Sequence, residues 1–385
     1  MSNNVVANSS TQTGAGVLFS EEEAGRFALG FIALDRPGAL NALALEMLKA
    51  IGNKLLEWRA RAEIACVVFH AESEKAFCAG GDAKSLALRL REDGEPAFAR
   101  DYFTTEYFVD YLIHAYPKPV LCWADGITFG GGVGIMNGAT YRVTTERSSL
   151  AMPETAIGLF PDVGSTYFLN RLPAGLGLFL GLSGARFSGF DAAAIGMAEG
   201  VARSESKKET FAGLSRLDWT SDPQANAELL RRYMKSRTEA APAENSALVK
   251  SLDAVARLTD HSTIDAIDRA LREWSGEDLW LKSAIAAYLA ASPTAVKTTF
   301  EQLRRGKKLT LKEAFLREWD MEVNYCTTPD FTEGVRARLI DKDNRPRWNP
   351  PALSAVADET IERYFRPQPD GVNLLAEKLA AARID

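Results

Sequence analysis

Two glycine-rich turns constrain this sequence more than any other feature, because each joins a strand-like apolar run to a helical segment. The first is Ala79-Gly80-Gly81-Asp82, and the second is Gly130-Gly131-Gly132. The first N–H groups of a helix have no partner within the helix and lie at the positive end of its dipole. Glycine lets a substrate atom approach that backbone closely. Two such turns facing each other would offer two N–H donors to one oxygen, which is an oxyanion hole.

Each turn taken alone is better explained as a tight turn or as close helix packing. Neither fits a nucleotide-binding loop, because G-x-G-x-x-G is absent from the required strand context and G-x-x-x-x-G-K-[ST] does not occur. The contexts of Ser183 and Ser188 lack the G-x-S-x-G elbow of serine hydrolases. The turns therefore need further residues before they indicate a chemistry.

Short apolar strands alternate with helices up to about residue 205, which predicts an α/β unit that carries its function on strand-to-helix turns. Predicted strands include Phe27 to Leu34 and Ala65 to His70, and Asn41 is expected to open a helix. Beyond that point the chain is helical and charged. We expect three parts, namely a disordered tail over 1–16, a core over 17–205 and a helical C-terminal region over 206–385.

The composition excludes several classes of protein. With 46% hydrophobic residues, the 385-residue chain can bury a large core, and its net charge of −6 argues against a nucleic-acid partner. A local basic pocket for a phosphorylated ligand remains compatible with that charge. The sequence contains no run of about 18 apolar residues, so no membrane span is predicted. The polar residues 1–16 lack the Arg and Lys residues that are typical of a targeting peptide, so a cytoplasmic location is expected. The three histidines and four cysteines lack metal-ligand spacing, so no metal is expected.

Three carboxylates are candidate functional groups. Glu154 and Asp162 are embedded in apolar sequence, where desolvation raises the pKa of a carboxyl group toward the range useful for acid–base chemistry. A buried ion pair for Glu154 and a helix cap for Asp162 explain these residues equally well. Glu106 lies in an aromatic-rich helix, where the residues alone favour a solvated position.

In this order, the motifs resemble the crotonase (enoyl-CoA hydratase/isomerase) superfamily. The resemblance covers about residues 27–205, with a further match in the C-terminal half, and four motifs at compatible spacing make it specific. The matching stretches are LDRPGALNAL (34–43), AFCAGGD (76–82), PKPVLCWADGITFGGGVG (117–134) and AMPETAIGLFPDVG (151–164).

The resemblance implies a spiral of ββα turns followed by a helical C-terminal region, and an acyl-CoA substrate. It assigns the two oxyanion-binding amides to Gly81 and Gly131, and it places the carbonyl of Ala79 in the loop that family members use against the adenine of CoA. No separate cofactor is implied, because CoA is part of the substrate. Superfamily members often form trimers or hexamers, so a homo-oligomer is an open alternative, although the long C-terminal half could cover that surface.

Within the superfamily, the chain resembles the 3-hydroxyisobutyryl-CoA hydrolases of valine breakdown. Hydratases of this fold use two glutamates, and the position of the first is Gly134 here, whereas the second is retained as Glu154. In the hydrolases, the residues that match Glu154 and Asp162 act in catalysis, and the residue that matches Glu106 contacts the substrate. The C-terminal stretches SPTAVK (292–297) and DFTEGVRARLIDKDNRPRWNPP (330–351) are also shared.

This sequence departs from the hydrolase pattern at Thr105, where an acidic residue is common, and at Ser165, where a glycine is common. Both changes could alter acyl preference. The function expected from the resemblance is hydrolysis of 3-hydroxyisobutyryl-CoA to 3-hydroxyisobutyrate and CoA. The alternatives are an enoyl-CoA hydratase or isomerase, in which Glu154 only shuttles a proton, and a non-catalytic CoA-binding scaffold.

Overall fold

The computed structural model describes residues 11–13, 15–93, 97–173, 175–240, 246–326 and 328–384. Its named strands form two sheets, and all of them precede residue 203. The strands are β1 (Thr11–Thr13), β2 (Val17–Ala24), β3 (Phe27–Leu34), β4 (Ile64–Ala71), β5 (Ala76–Cys78), β6 (Val120–Ala124), β7 (Ile127–Phe129), β8 (Tyr141–Thr145), β9 (Ser149–Ala151), β10 (Phe187–Ser188) and β11 (Gly200–Ala202).

From β4 to β9 successive strands alternate between the two sheets, and this alternation builds a spiral. The larger sheet has the order β1-β2-β3-β4-β6-β8-β11, and the smaller has the order β10-β9-β7-β5. From β3 to β11 the neighbours in the larger sheet are parallel, and β5, β7 and β9 are parallel in the smaller one. The consecutive strands β4 and β5 are followed by one helix, and the consecutive strands β6 and β7 are followed by another. The predicted α/β spiral of ββα turns is confirmed.

The apolar runs of the sequence became strands because a parallel sheet is covered on both faces. All eight residues of β4 are buried. The bounds of β3 coincide with the predicted strand, and β4 extends the prediction by one residue at each end.

Helices cover both faces of the larger sheet and make up most of the chain after β11. A five-residue π-helical turn, Arg336–Ile340, follows α16. The helices are α1 (Leu45–Ala60), α2 (Ala83–Asp93), α3 (Ala97–His114), α4 (Gly131–Gly138), α5 (Ser165–Phe168), α6 (Leu176–Ser183), α7 (Gly189–Ala194), α8 (Lys207–Leu214), α9 (Pro223–Lys235), α10 (Ala247–Lys250), α11 (Leu252–Thr259), α12 (Ile264–Glu273), α13 (Leu279–Ala290), α14 (Pro293–Gly306), α15 (Leu311–Tyr325), α16 (Pro329–Val335), α17 (Asp358–Tyr364) and α18 (Leu374–Ala381).

Asn41 does not open a helix, so that prediction is wrong. It has a φ of 57°, and α1 begins only at Leu45. Its side-chain amide instead donates hydrogen bonds to the carbonyls of Ala76 and Phe77, at 2.9 and 3.1 Å. Asn41 thus ties the loop before α1 to β5, the strand that leads into the first glycine turn.

The predicted three-part division can be compared with the structure in the tail and in the C-terminal region. Of the predicted tail, residues 1–10 and 14 lie outside the described residues, but Thr11–Thr13 pair with β2, so the tail prediction is wrong for these three. After β11 the described residues form helices without a further named strand. The main apolar core nevertheless runs from Val17 to Ile384, so the C-terminal helices pack into the same core as the spiral.

Candidate active site

The two glycine turns lie against each other. They follow β5 and β7, which are parallel neighbours, so the carboxyl ends of these strands meet at one edge of the smaller sheet. A Cβ built on Gly80 would lie 3.7 Å from the Gly131 nitrogen, and one built on Gly131 would lie 3.4 Å from the Gly81 nitrogen. The N–H groups of Gly81 and Gly131 donate to no other group within the described part of the chain. Two amides without partners therefore lie close together.

Backbone conformation and space both require glycine here. Gly80 has a φ of 102° and Gly130 a φ of 47°, a region that residues with side chains rarely adopt. A Cβ on Gly131 would lie only 2.7 Å from Glu106 Oε1, and one on Gly81 would lie 2.7 Å from the Tyr102 hydroxyl. A larger residue at either position would fill the space in front of the amides.

Glu154 is buried at the start of a 3₁₀ turn, Glu154–Ile157, that follows β9. Its Oε1 lies 2.6 Å from the place of a Cβ built on Gly130, and its Oε2 has no hydrogen-bond partner among the described residues. Burial, and then the charge of Asp162, raise the pKa of Glu154 well above its ordinary value. No described cation pairs with it, so the buried ion pair that the sequence allowed is wrong.

Asp162 is buried in the loop before α5 and accepts a hydrogen bond of 2.7 Å from the Tyr107 hydroxyl. Burial raises the pKa of Asp162 to about 6, and the hydrogen bond from Tyr107 opposes that rise. The residue before α5 is Gly164, and no side chain caps this helix. The helix-cap explanation of Asp162 is therefore wrong.

Glu106 is only 3% exposed, so the solvated helix position that the residues alone favoured is wrong. Its Oε1 lies within 3.2 Å of Cβ positions built on both Gly81 and Gly131. Burial, and then the charges of Asp162, Asp110 and Glu154, raise the pKa of Glu106 well above its ordinary value. Glu106 is buried because α3 is covered by other elements on almost every side.

Sequence reasoning missed three further buried acids. Asp110 lies one helical turn after Glu106 on α3, and Glu318 and Glu322 lie one turn apart on α15, which packs against α3. Both carboxyl oxygens of Asp110 and of Glu322 lack a hydrogen-bond partner among the described residues. Burial is the largest cause that raises the pKa of all three, to about 8 for Glu318. A spacing of four between acids within apolar helices was the only available signal.

One cavity of about 760 Å³ is lined by all six residues singled out from the sequence, namely Ala79, Gly81, Glu106, Gly131, Glu154 and Asp162. The C-terminal region forms part of its wall, through three alanines of α13 and through Arg338 and Leu339 of the π-helical turn. Arg186 and Arg338 are the cationic residues among those that line it, and neither was predicted.

The departures from the hydrolase pattern are both buried. Thr105 accepts a hydrogen bond of 3.4 Å from Lys378 on α18, and Ser165 donates one of 2.5 Å to the carbonyl of Pro161. Neither side chain lines the cavity. Within the described ranges, no group of three or more His, Cys, Asp or Glu residues is arranged to hold a metal ion.

The chain belongs to the enoyl-CoA hydratase/isomerase family, whose model matches residues 29–365. This confirms the predicted crotonase superfamily. The chain is 37% identical to 3-hydroxyisobutyryl-CoA hydrolase, mitochondrial, of Danio rerio, over 92% of this chain and 91% of that protein. It is 39% identical to the protein of the same name in Xenopus tropicalis, over 87% and 86% of the two chains. An enoyl-CoA hydratase structure from Rhodobacter sphaeroides 2.4.1 matches with a TM-score of 0.81 and 34% identity, over 93% of this chain and 99% of that chain.

The cytoplasmic location expected from the sequence is contradicted, because these relatives are named as mitochondrial proteins. The four cysteines are free and buried, which suits any reducing compartment and does not distinguish one compartment from another. In the parts of the chain that the structure describes, no helix has both the length and the apolar character needed to cross a bilayer.

Proposed function

We propose that this protein hydrolyses the thioester of a short 3-hydroxyacyl-CoA, with 3-hydroxyisobutyryl-CoA as its substrate and valine catabolism as its setting. One observation carries the proposal. The unpartnered main-chain amides of Gly81 and Gly131 line the same cavity as the buried carboxyl groups of Glu154 and Asp162. Relatives named 3-hydroxyisobutyryl-CoA hydrolase, 37% and 39% identical over most of the chain, support it.

In the proposed reaction the N–H groups of Gly81 and Gly131 bind the thioester oxygen and stabilise the negative charge that develops on it. One such donor contributes about 3–4 kcal/mol of transition-state stabilisation. Glu154 either attacks the carbonyl carbon, which gives an anhydride and expels the CoA thiolate, or removes a proton from the attacking water. In the first route water then hydrolyses the anhydride, which releases the 3-hydroxy acid and restores the Glu154 carboxylate. Oxygen-18 in the Glu154 carboxylate after turnover in labelled water is expected for attack and not for base catalysis.

Asp162 has two roles compatible with its place. It either orients the 3-hydroxy group of the substrate or passes a proton to the departing thiolate, and Tyr107 fixes its carboxyl group. Arg186 and Arg338 supply positive charge to a cavity that would hold the phosphates of CoA. The reaction as proposed uses no resident cofactor.

A hydratase is the alternative, because one similar solved structure is an enoyl-CoA hydratase, but the curated relatives, named as hydrolases, do not favour it. Gly134 argues against it, because it stands where hydratases of this fold carry their first glutamate. A Cβ at Gly134 would lie 2.7 Å from the Val163 Cβ, so the structure leaves no room for a side chain there. The nearby Asp110 carboxyl group does not line the cavity.

Thiol trapping distinguishes these functions directly. The purified protein is incubated with 3-hydroxyisobutyryl-CoA, isobutyryl-CoA and crotonyl-CoA, and both free thiol and the absorbance of the conjugated thioester are followed. A hydrolase releases thiol fastest from the 3-hydroxy substrate. A loss of crotonyl-CoA absorbance without thiol release would instead establish a hydratase, and neither signal would leave a CoA-binding scaffold.

A further inference from the structure

The loop that carries Asp162 has an unusual backbone. In Pro161–Thr166, which we call the Asp162 loop, Val163 has a φ of 51° and Gly164 a φ of 87°. A β-branched residue in the left-handed region is a clear outlier, and such a conformation persists only where the surroundings fix it. Contacts from outside the loop should therefore hold it.

Those contacts come from two helices of the C-terminal region. The Glu318 carboxyl group on α15 accepts hydrogen bonds from the Gly164 N–H at 2.6 Å and from the Thr166 N–H at 2.7 Å. The Gln302 amide on α14 donates to the Pro161 carbonyl at 2.6 Å and to the Thr166 hydroxyl at 2.8 Å. Glu318 and Gln302 are both completely buried.

The two side chains hold the loop on either side of Asp162. Gln302 binds the residue before it, and Glu318 binds two of the residues after it. The Phe315 ring packs against the loop at Gly164, since a Cβ built on Gly164 would lie 2.8 Å from that ring. Neither Glu318 nor Gln302 lines the cavity, so both residues are placed to act on the reaction indirectly.

We propose that Glu318 and Gln302 are positioning residues, which hold the Asp162 loop in the conformation that thioester hydrolysis requires. This rests on the proposed function. The two side-chain oxygens of Glu318 each accept from a different backbone N–H group of the loop, so one buried side chain fixes two of its amides at once. The C-terminal region thus contributes to the reaction through the loop as well as through the cavity wall.

The test is a double-mutant cycle between Glu318→Ala and Asp162→Asn, with thiol release from 3-hydroxyisobutyryl-CoA as the readout. In the otherwise unchanged protein, Glu318→Ala should lower kcat/KM about 100-fold, because a displacement of about 1 Å at a reacting group costs that much. In the Asp162→Asn background the same change should cost less than about threefold. Glu318→Gln keeps one acceptor oxygen and should fall between.

Hydrogen exchange measures the loop directly, even where activity is too low to compare. Glu318→Ala and Glu318→Gln should speed exchange at the Gly164 and Thr166 amides. The matched control is Glu301→Ala, because Glu301 neighbours Gln302 on α14 but pairs with Arg304 and Arg305. This control should change neither exchange in the loop nor kcat/KM.

Equal losses in both backgrounds would overturn the proposal, since a general loss of structure lowers activity regardless of Asp162. Unchanged exchange in the loop, or unchanged kcat/KM in Glu318→Ala, would overturn it as well. If Glu318→Ala does not fold, Glu318→Gln decides by the same criteria. A wild-type protein that releases no thiol would instead refute the proposed function, while loop exchange still reports the contacts of Glu318.

Discussion

Glu106, Glu154 and Asp162 surround one cavity, and no described cation forms an ion pair with any of them. Burial raises the pKa of each, and the charge of Asp162 raises the pKa of the other two further. A raised pKa suits a carboxyl group to give and to take a proton near neutral pH, which is what an acid and base in turn must do.

Substituting Gly131 tests the oxyanion site. Because a Cβ there would lie 2.7 Å from Glu106 Oε1, Gly131→Ala should displace the carboxyl group or the amide and lower kcat/KM by about 10²–10³-fold. Thiol release and far-UV circular dichroism are measured together. Gly38→Ala is the control, since a Cβ there meets nothing within 4 Å. A Gly131→Ala protein with full activity would contradict the oxyanion assignment.

Asp110 predicts a pH dependence of stability. Burial, and then the charges of Asp162 and Glu318, raise the pKa of Asp110 well above its ordinary value. The folded state then holds a proton that the unfolded state releases above about pH 4. The stability of the wild type should fall, relative to Asp110→Asn, by about 1.4 kcal/mol per pH unit from there up to the folded pKa.

Thermal or urea unfolding of both proteins from pH 4 to pH 8 measures this difference. Asp110→Asn should be the more stable of the two at pH 8 and should lose its advantage toward pH 4. Parallel stability curves would show that Asp110 does not carry a raised pKa.

Six residues that line the cavity could be predicted from the sequence because motifs of the superfamily mark them. The places of Asp110, Glu318 and Arg338 could not, because each depends on how elements distant in the sequence pack together. Glu318 is buried because α15 packs against α3 and α5, and its two N–H donors belong to residues about 150 positions earlier. Helical spacing alone does not tell a buried acidic face from a solvated one.

At the scale of elements, strands were predicted better than the starts of helices. Continuous apolar runs fixed β3 and β4 to within one residue, because parallel strands are buried on both faces. The start of α1 was misplaced, since Asn41 uses its side chain for carbonyls near β5 rather than for a helix end. A residue suited to capping is equally suited to bracing a loop.

The π-helical turn after α16 places Arg338 at the cavity. Arg338 lines the cavity, donates a hydrogen bond of 3.0 Å to Asn344, and has a buried Nε without a hydrogen-bond partner. If it binds a phosphate of CoA, Arg338→Ala should raise KM for 3-hydroxyisobutyryl-CoA about tenfold, or 1.4 kcal/mol, with little change in kcat.

Hydrolysis of 3-hydroxyisobutyryl-pantetheine, which lacks the nucleotide phosphates, should be insensitive to Arg338→Ala. Arg231→Ala serves as a control, because Arg231 pairs with Glu228 on α9 and does not line the cavity. Equal effects on both substrates would show that Arg338 supports the cavity wall and not the phosphates.

At the scale of the whole molecule, the C-terminal half is part of the catalytic unit. Its helices share the main apolar core with the spiral, line the cavity through α13, and bind the Asp162 loop through α14 and α15. The change near residue 205, from alternating strands and helices to helical sequence, could be predicted from the sequence. The sharing of one core was not, because a helical pattern does not reveal which surface a helix covers.

In the proposed reaction a buried carboxyl group, that of Glu154, acts on a thioester beside two main-chain amides. The most direct test of this role is kcat for thiol release from 3-hydroxyisobutyryl-CoA by Glu154→Gln, compared with the wild type and with Glu146→Gln, whose carboxylate is exposed and accepts from the Ser204 amide. Glu154→Gln alone should lower kcat about 10²–10⁴-fold. Full activity in a folded Glu154→Gln protein would contradict that role.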